Sequence, residues 1–259
     1  MTSGVGDLTK LETLRAILAR LRGPEGCPWD REQTPQSLRR ALLEECYESL
    51  EALDSGDEKR LVEELGDLLI HIAFHCQMGE ERGAFRWEDV LRQVNTKLIR
   101  RHPHVFGDAQ AHTARQVEEQ WERIKKAEKP QASLLDGLPK DLPALAAAQA
   151  ISQRVARVGF EWPTLESLLQ KVHEELAEVQ KASTPQERER EVGDLLFTIV
   201  NLARWLGVDA ESALRTANAR FRRRWQAIEE TCRTQGWDFS ALPPEQKEVL
   251  WQRAKEAVG

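Results

Sequence analysis

Leu8, Leu11, Leu14, Ile17, Leu18 and Leu21 recur at helical spacing between charged positions, which predicts an amphipathic helix over 7–22. Gly23-Pro24-Glu25-Gly26-Cys27-Pro28 breaks it and leads into Trp29-Asp30. A second helix is expected from Thr34-Pro35 to Leu53, with threonine as cap and proline at the first helical position. Beyond the turn Asp54-Ser55-Gly56-Asp57, a third runs from Glu58 to Gly79 with Leu61, Leu65, Leu68, Leu69, Ile72 and Phe74 as its apolar face. Helices over 87–101 and 114–128 follow, separated by His102-Pro103-His104-Val105-Phe106-Gly107-Asp108. After a linker at 129–142 the pattern predicts helices over 144–158, 165–181, from Thr184-Pro185 to 205, from Asp209 to 234, and over 244–257. No stretch carries the period-two alternation of a strand, so the expected class is all-α. The expected modules are residues 1–128 and 143–259.

The order of elements repeats, and so do polar features within them. Glu44-Glu45-Cys46-Tyr47-Glu48 precedes Glu64-Leu65-Gly66-Asp67-Leu68-Leu69, and Glu174-Glu175-Leu176-Ala177-Glu178 precedes Glu191-Val192-Gly193-Asp194-Leu195-Leu196. Asn-x-basic-apolar-x-Arg-Arg occurs at 95–101 and 218–224, and Trp-x-x-x-Lys at 121–125 and 251–255. The offsets of 130, 127, 123 and 130 keep the order while loop lengths change, as a tandem duplication leaves them.

Residues three apart share a helix face. Glu45 with Glu48 and Glu64 with Asp67 therefore present paired carboxylates, as do Glu175 with Glu178 and Glu191 with Asp194. If the helices return antiparallel, four carboxylates converge across one groove. Like charges so close raise each other's pKa, and an all-oxygen site relieves this by binding a hard divalent cation, magnesium or manganese. Asp67 and Asp194 sit in apolar stretches and are expected at the edge of a core. Gly66 and Gly193 each cost a helix about 1 kcal/mol relative to alanine, which suggests close approach of a neighbouring helix or ligand. His71 and His75 raise the alternative of di-iron, but the second copy has Thr198 and Leu202 there and neither copy has Glu-x-x-His. The histidines are read as packing residues.

Charge and cysteine usage narrow the classes. A net charge of −6 opposes nucleic-acid binding through bulk basicity. No run reaches membrane-span length, and Met1-Thr2-Ser3-Gly4 opens no signal peptide. Cys27, Cys46, Cys76 and Cys232 lack Cys-x-x-Cys spacing and are expected as reduced thiols in a cytoplasmic protein. Magnesium is normally shared with substrate phosphates. Lys97, Arg100, Arg101 and Lys125, and in the second copy Arg220, Arg223, Arg224 and Lys255, suit the remaining phosphate oxygens. Trp121 and Trp251 suit either stacking on a base or burial in the core.

Glu-Glu-x-Tyr-Glu at 44–48, Glu-Leu-Gly-Asp-Leu-Leu at 64–69, Gly-Cys-Pro-Trp-Asp at 26–30 and Arg-Arg-His-Pro-His-Val-Phe at 100–106 resemble the MazG family over nearly the whole chain. The resemblance implies a tandem pair of all-α helical-bundle modules. It also implies magnesium-dependent hydrolysis of nucleoside triphosphate to monophosphate and pyrophosphate, a homodimer, and housekeeping removal of excess or aberrant nucleotides. By motif position it implies metal ligands at Glu175, Glu178, Glu191 and Asp194, with Glu45, Glu48, Glu64 and Asp67 as first-module equivalents. Nucleotide contacts are implied at Lys171, Glu174, Arg220, Arg224, Trp251 and Lys255.

Lys171 stands one turn before Glu175, whereas Ala41 stands before Glu45, so the second module is expected to carry most of the activity. The expected mechanism is attack of a metal-activated water on the α-phosphorus, with basic side chains stabilising the leaving pyrophosphate. Glu174 and Glu44 point about 100° from their neighbours and are candidates for positioning or for the base. Two other readings stay open: a non-catalytic nucleotide and metal sensor that signals to a protein partner, and a helical scaffold with merely acidic surfaces.

Overall fold

The computed structural model describes residues 6–128, 131 and 133–258, with Lys126 described by its backbone alone. Residues 1–5, read above as opening no signal peptide, and residues 129, 130 and 132 of the expected linker lie outside the described residues, as does 259. Every regular element among those described is helical, and no strand occurs among them. Two compact units divide the chain, Met1–Pro130 and Gln131–Gly259.

The first unit comprises α1 (Leu11–Leu21), α2 (Pro28–Glu32), α3 (Arg39–Ser55), α4 (Glu58–Glu81), α5 (Trp87–Arg101), α6 (Pro103–Phe106) and α7 (Ala114–Glu128). Its frame is the α3–α4 hairpin. Gly56, at φ 70°, closes α3 in the left-handed conformation that glycine adopts without strain. Asp57 then caps α4 by accepting from the amides of Lys59 and Arg60 at 3.1 Å. Helices α1 and α5 pack on α4, and α7 packs on α5. Leu18, Leu38, Ala73, Phe74, Cys76, Met78 and Trp87 form the core. Gly79 lies beneath Phe85, whose ring would meet a Cβ there at 2.7 Å.

The second unit comprises α8 (Ala144–Ala156), α9 (Leu165–Lys181), α10 (Pro185–Trp205), α11 (Ala210–Gln235) and α12 (Pro244–Val258). Thr184 caps α10 by accepting from the Glu187 amide, while the Glu187 carboxylate accepts from the amide of Thr184. This box ends the α9–α10 hairpin turn. Helix α8 packs on α10 and α11. Its buried Gln149 accepts from the Ala210 amide at 2.8 Å and donates to the Val208 carbonyl at 3.1 Å, fixing the α10–α11 turn. Ile228, Cys232, Leu250 and Ala254 join α11 to α12, with Trp225, Phe239 and Trp251 against them.

Three expectations change. The Thr34 cap forms, its Oγ1 accepting from the Ser37 amide at 3.0 Å, but regular α3 begins only at Arg39. The bonds Leu38 N to Thr34 O and Arg39 N to Gln36 O mix four- and three-residue spacing, so residues 35–38 are turns. Short helices α2 and α6 occupy stretches expected as loops. The expected apolar face of α4 also divides. Phe74 enters the core, whereas Leu65, Leu69 and Ile72 are exposed.

Candidate functional site

Each hairpin brings acidic residues together. On α9 and α10, one carboxylate oxygen each from Glu175, Glu178 and Glu191 lie within 4.8 Å of one another. On α3 and α4 the same holds for Glu45, Glu48 and Glu64. Asp67 and Asp194 stand outside these groups. Asp67 is half-buried on the same face of α4, one turn past Glu64, and acts on the cluster through its charge. Asp194 is exposed, not at a core edge, because the apolar residues around it on α10, Val192, Leu196 and Phe197, are themselves exposed.

The electrostatics are those of crowded anions. Burial, then the charges of Asp67, Glu48 and Glu64, push the Glu45 carboxyl above the usual range. In the second cluster cations of the chain itself stand against the carboxylates. Lys171 donates to Glu174 at 2.7 Å and to Glu175 at 2.8 Å, and those two bonds, the Glu174 one first, raise the lysine pKa. Arg190 donates to Glu191. Glu175 is only 4% exposed, and its Oε2 has no hydrogen-bond partner among the described residues. Such a buried, unmatched acceptor costs about 1–3 kcal/mol. In the first cluster Arg60 donates to Glu64 at 3.1 Å, and His71 Nε2 lies 3.9 Å from Glu45.

The donor set fits a hard divalent cation. Oxygens about 2.1 Å from one magnesium are at most about 4.2 Å apart, so a small inward shift of side chains spread over 4.8 Å closes either site. The buried Glu175 Oε2, with no hydrogen-bond partner among the described residues, is an oxygen that a cation could satisfy.

The basic and aromatic residues lie on α5 and α7 in the first unit and on α11 and α12 in the second. In the second, Arg224 lies over the Trp251 ring at 5.8 Å, and Phe221 packs on that ring at 5.3 Å. Trp251 is half-buried on the α11–α12 core, Lys255 is half-buried one turn on, and Arg220 is exposed. In the first, Arg101 lies over Trp121 at 5.1 Å, the same arrangement. Gly66 and Gly193 have no other atom within 4 Å of a built Cβ, so the close neighbour expected at each is not part of this chain's described residues.

Three charged neighbours of these residues escape the sequence reading, and His71 enters it only as a packing residue. Arg60 was readable, standing four residues before Glu64. His71 is buried on α4, as a packing residue is, and its Nε2 also lies 3.9 Å from Glu45. Arg190 adjoins Glu191 in a run of charges with no distinguishing signal. Glu128, which holds Arg100 and Arg101, had one available signal, a break in the repeat, since seven residues after Trp251 stands Val258.

Comparisons with known proteins place this geometry in context. Residues 33–106 and 163–228 match the model of the MazG nucleotide pyrophosphohydrolase domain, one segment spanning each acidic hairpin. The chain is 46% identical over 246 residues to the nucleoside triphosphate pyrophosphohydrolase/pyrophosphatase MazG of Thermotoga maritima, covering 94% of this chain and 95% of that protein. It is 44% identical over 257 residues to the nucleoside triphosphate pyrophosphohydrolase of Escherichia coli K12, covering 96% and 98%. A Mycobacterium tuberculosis protein of the same name is 42% identical over 135 residues, 51% of this chain and 41% of that protein.

Proposed function

The chain belongs to the MazG nucleotide pyrophosphohydrolase family, and from that premise we propose that it hydrolyses nucleoside triphosphates to monophosphate and pyrophosphate. The proposal extends to magnesium as the metal, with manganese able to replace it, to a cytoplasmic homodimer, and to removal of excess or non-standard nucleotides. One observation carries the reading: three-carboxylate clusters at equivalent places on two hairpins, one with a buried oxygen left unpartnered.

Glu175, Glu178 and Glu191, with Asp194 one turn on, would hold the cation in the second unit; Glu45, Glu48, Glu64 and Asp67 are their equivalents. A bound divalent cation supplies charge neutralisation and a water of lowered pKa. The chain's own groups do the rest. Lys171 is held at the cluster rim by Glu174 and Glu175. Once Glu175 is neutralised, its ammonium is available to a substrate phosphate. Glu174, exposed and outside the cluster, steadies Lys171 and is the candidate proton acceptor. Arg220, Arg224 and Lys255 grip the leaving pyrophosphate, where preorganised positive charge lowers the barrier. Trp251, half-buried beneath Arg224 and Phe221, is the aromatic side chain proposed to stack on the base.

The homodimer reading draws on a repeated stripe. Leu65, Leu69 and Ile72 on α4 and Val192, Leu196 and Ile199 on α10 occupy matching positions and are all exposed, Leu65 and Leu196 at 52% each. Apolar stripes of this kind mark surfaces that a partner covers. Among the described residues no helix is long and apolar enough to cross a membrane, and all four cysteines are free, which supports the cytoplasmic assignment.

Incubation with several triphosphates and magnesium in 18O-labelled water, followed by separation of products, tests the activity. Equal amounts of monophosphate and pyrophosphate, with label in the monophosphate, are expected. Diphosphate with phosphate would mark an ordinary phosphatase, and tight binding without turnover would mark a sensor.

A further inference from the structure

Arg100 and Arg101 are consecutive on α5, so their side chains leave the helix about 100° apart. Both nevertheless converge on one carboxylate. Arg100 reaches Glu128 Oε1 at 2.7 Å, and Arg101 reaches both oxygens, at 2.8 and 3.2 Å. Paired guanidinium contacts of this length are those that phosphate oxygens receive. Arg101 also lies over Trp121, as Arg224 lies over Trp251, so the seat is the first unit's version of the basic and aromatic corner in the second. The two corners differ in one respect. Glu128 stands seven residues after Trp121, whereas the residue seven after Trp251 is Val258, which brings no charge.

We infer that Glu128 is a built-in occupant of the first unit's phosphate seat, so that nucleotide phosphates bind there only by displacing its carboxylate from Arg100 and Arg101. The inference rests on the reading of these basic corners as phosphate contacts. Hydrogen bonding from Arg101, opposed by partial burial, holds the Glu128 carboxyl below the usual range, so the occupant stays ionised at neutral pH. A tethered anion lowers apparent affinity by the fraction of time that it vacates the seat. Lys97 is left to the incoming phosphate and Lys125 stands 4.0 Å from Glu122, but the two planar guanidinia are taken.

The test uses the full chain with the second cluster disabled by Glu175→Ala, and a non-hydrolysable triphosphate with magnesium as the probe in calorimetry. Adding Glu128→Gln should tighten binding by about tenfold or more, as expected when a site closed some nine-tenths of the time is freed; Glu128→Asp should tighten it less. Unchanged or weaker binding on Glu128→Gln, with a lower Tm, would mark a purely structural ion pair and overturn the inference. The reciprocal variant guards against misfolding of the first. Val258→Glu in the otherwise native chain should raise KM for triphosphate severalfold with little change in kcat, and an unchanged KM counts against the occupant. A native chain that releases no pyrophosphate at all defeats the catalytic reading instead, while the binding comparison still decides the role of Glu128.

Discussion

Lys171 and Glu175 show how one side chain can serve two states. Without a cation the lysine is the main compensation for a carboxylate that is almost wholly buried, through a 2.8 Å bond. Lys171→Ala leaves that carboxylate with neither oxygen matched, so the metal-free protein should lose about 1–3 kcal/mol. Magnesium should restore more stability to this variant than to the native chain, which thermal melts with and without metal would reveal; equal gains would contradict the pairing. A second residue-scale prediction concerns His75. Burial, then the charge of Arg82, depress its pKa. The unfolded chain therefore takes up the proton first as pH falls below about 6.5. Stability from this residue is complete above that pH and is lost as pH drops toward the folded value. His75→Leu, which borrows the residue at the equivalent Leu202, should flatten the fall in Tm between neutral pH and pH 5. An unaltered slope would show that His75 titrates alike in both states.

At the level of elements, charged substitution separates folding from assembly. Leu69→Glu and Leu196→Glu fall on the exposed stripes of α4 and α10, so each chain should keep its helicity while light scattering shows the proposed dimer weakened or lost. Variants that remain dimeric would place the interface elsewhere. These stripes also mark where sequence reading stops. Periodicity showed that Leu65, Leu69 and Ile72 share a face with Leu61 and Leu68, but an apolar face looks the same in sequence whether its own chain covers it or not. Helix starts with local chemistry were legible, as at Thr184 with Pro185 and Glu187, or Asp209 accepting from the Ser212 amide. The start of α3 was not, because the Thr34 cap closes a turn that only later becomes regular helix. The carboxylates of Glu175, Glu178 and Glu191 could be read as converging because three-residue spacing and a short return fix their faces. Lys171 was legible one turn before Glu175, whereas Arg190 was not, since it lies in a run of charges with no distinguishing signal.

At the scale of the whole molecule, we propose that the acidic groups of each hairpin hold a divalent cation of their own and that a triphosphate is hydrolysed at its α-phosphorus chiefly in the second unit. The two units repeat the same parts with different fittings. The first has Arg60 and His71 at its carboxylates and Glu128 on its arginines, the second Lys171 and Arg190 at its carboxylates and an uncharged Val258 at the matching helix end. Loss of a residue that merely supports a metal ligand costs about 10–100-fold, so loss of a ligand itself should cost roughly 100-fold or more. The most direct measurement is pyrophosphate release by the native chain, Glu45→Ala and Glu175→Ala, each with magnesium and with chelator. The expected result is release only with magnesium, nearly intact in Glu45→Ala and reduced about 100-fold or more in Glu175→Ala. Release that survives chelator, or that Glu175→Ala leaves undiminished, would contradict the account.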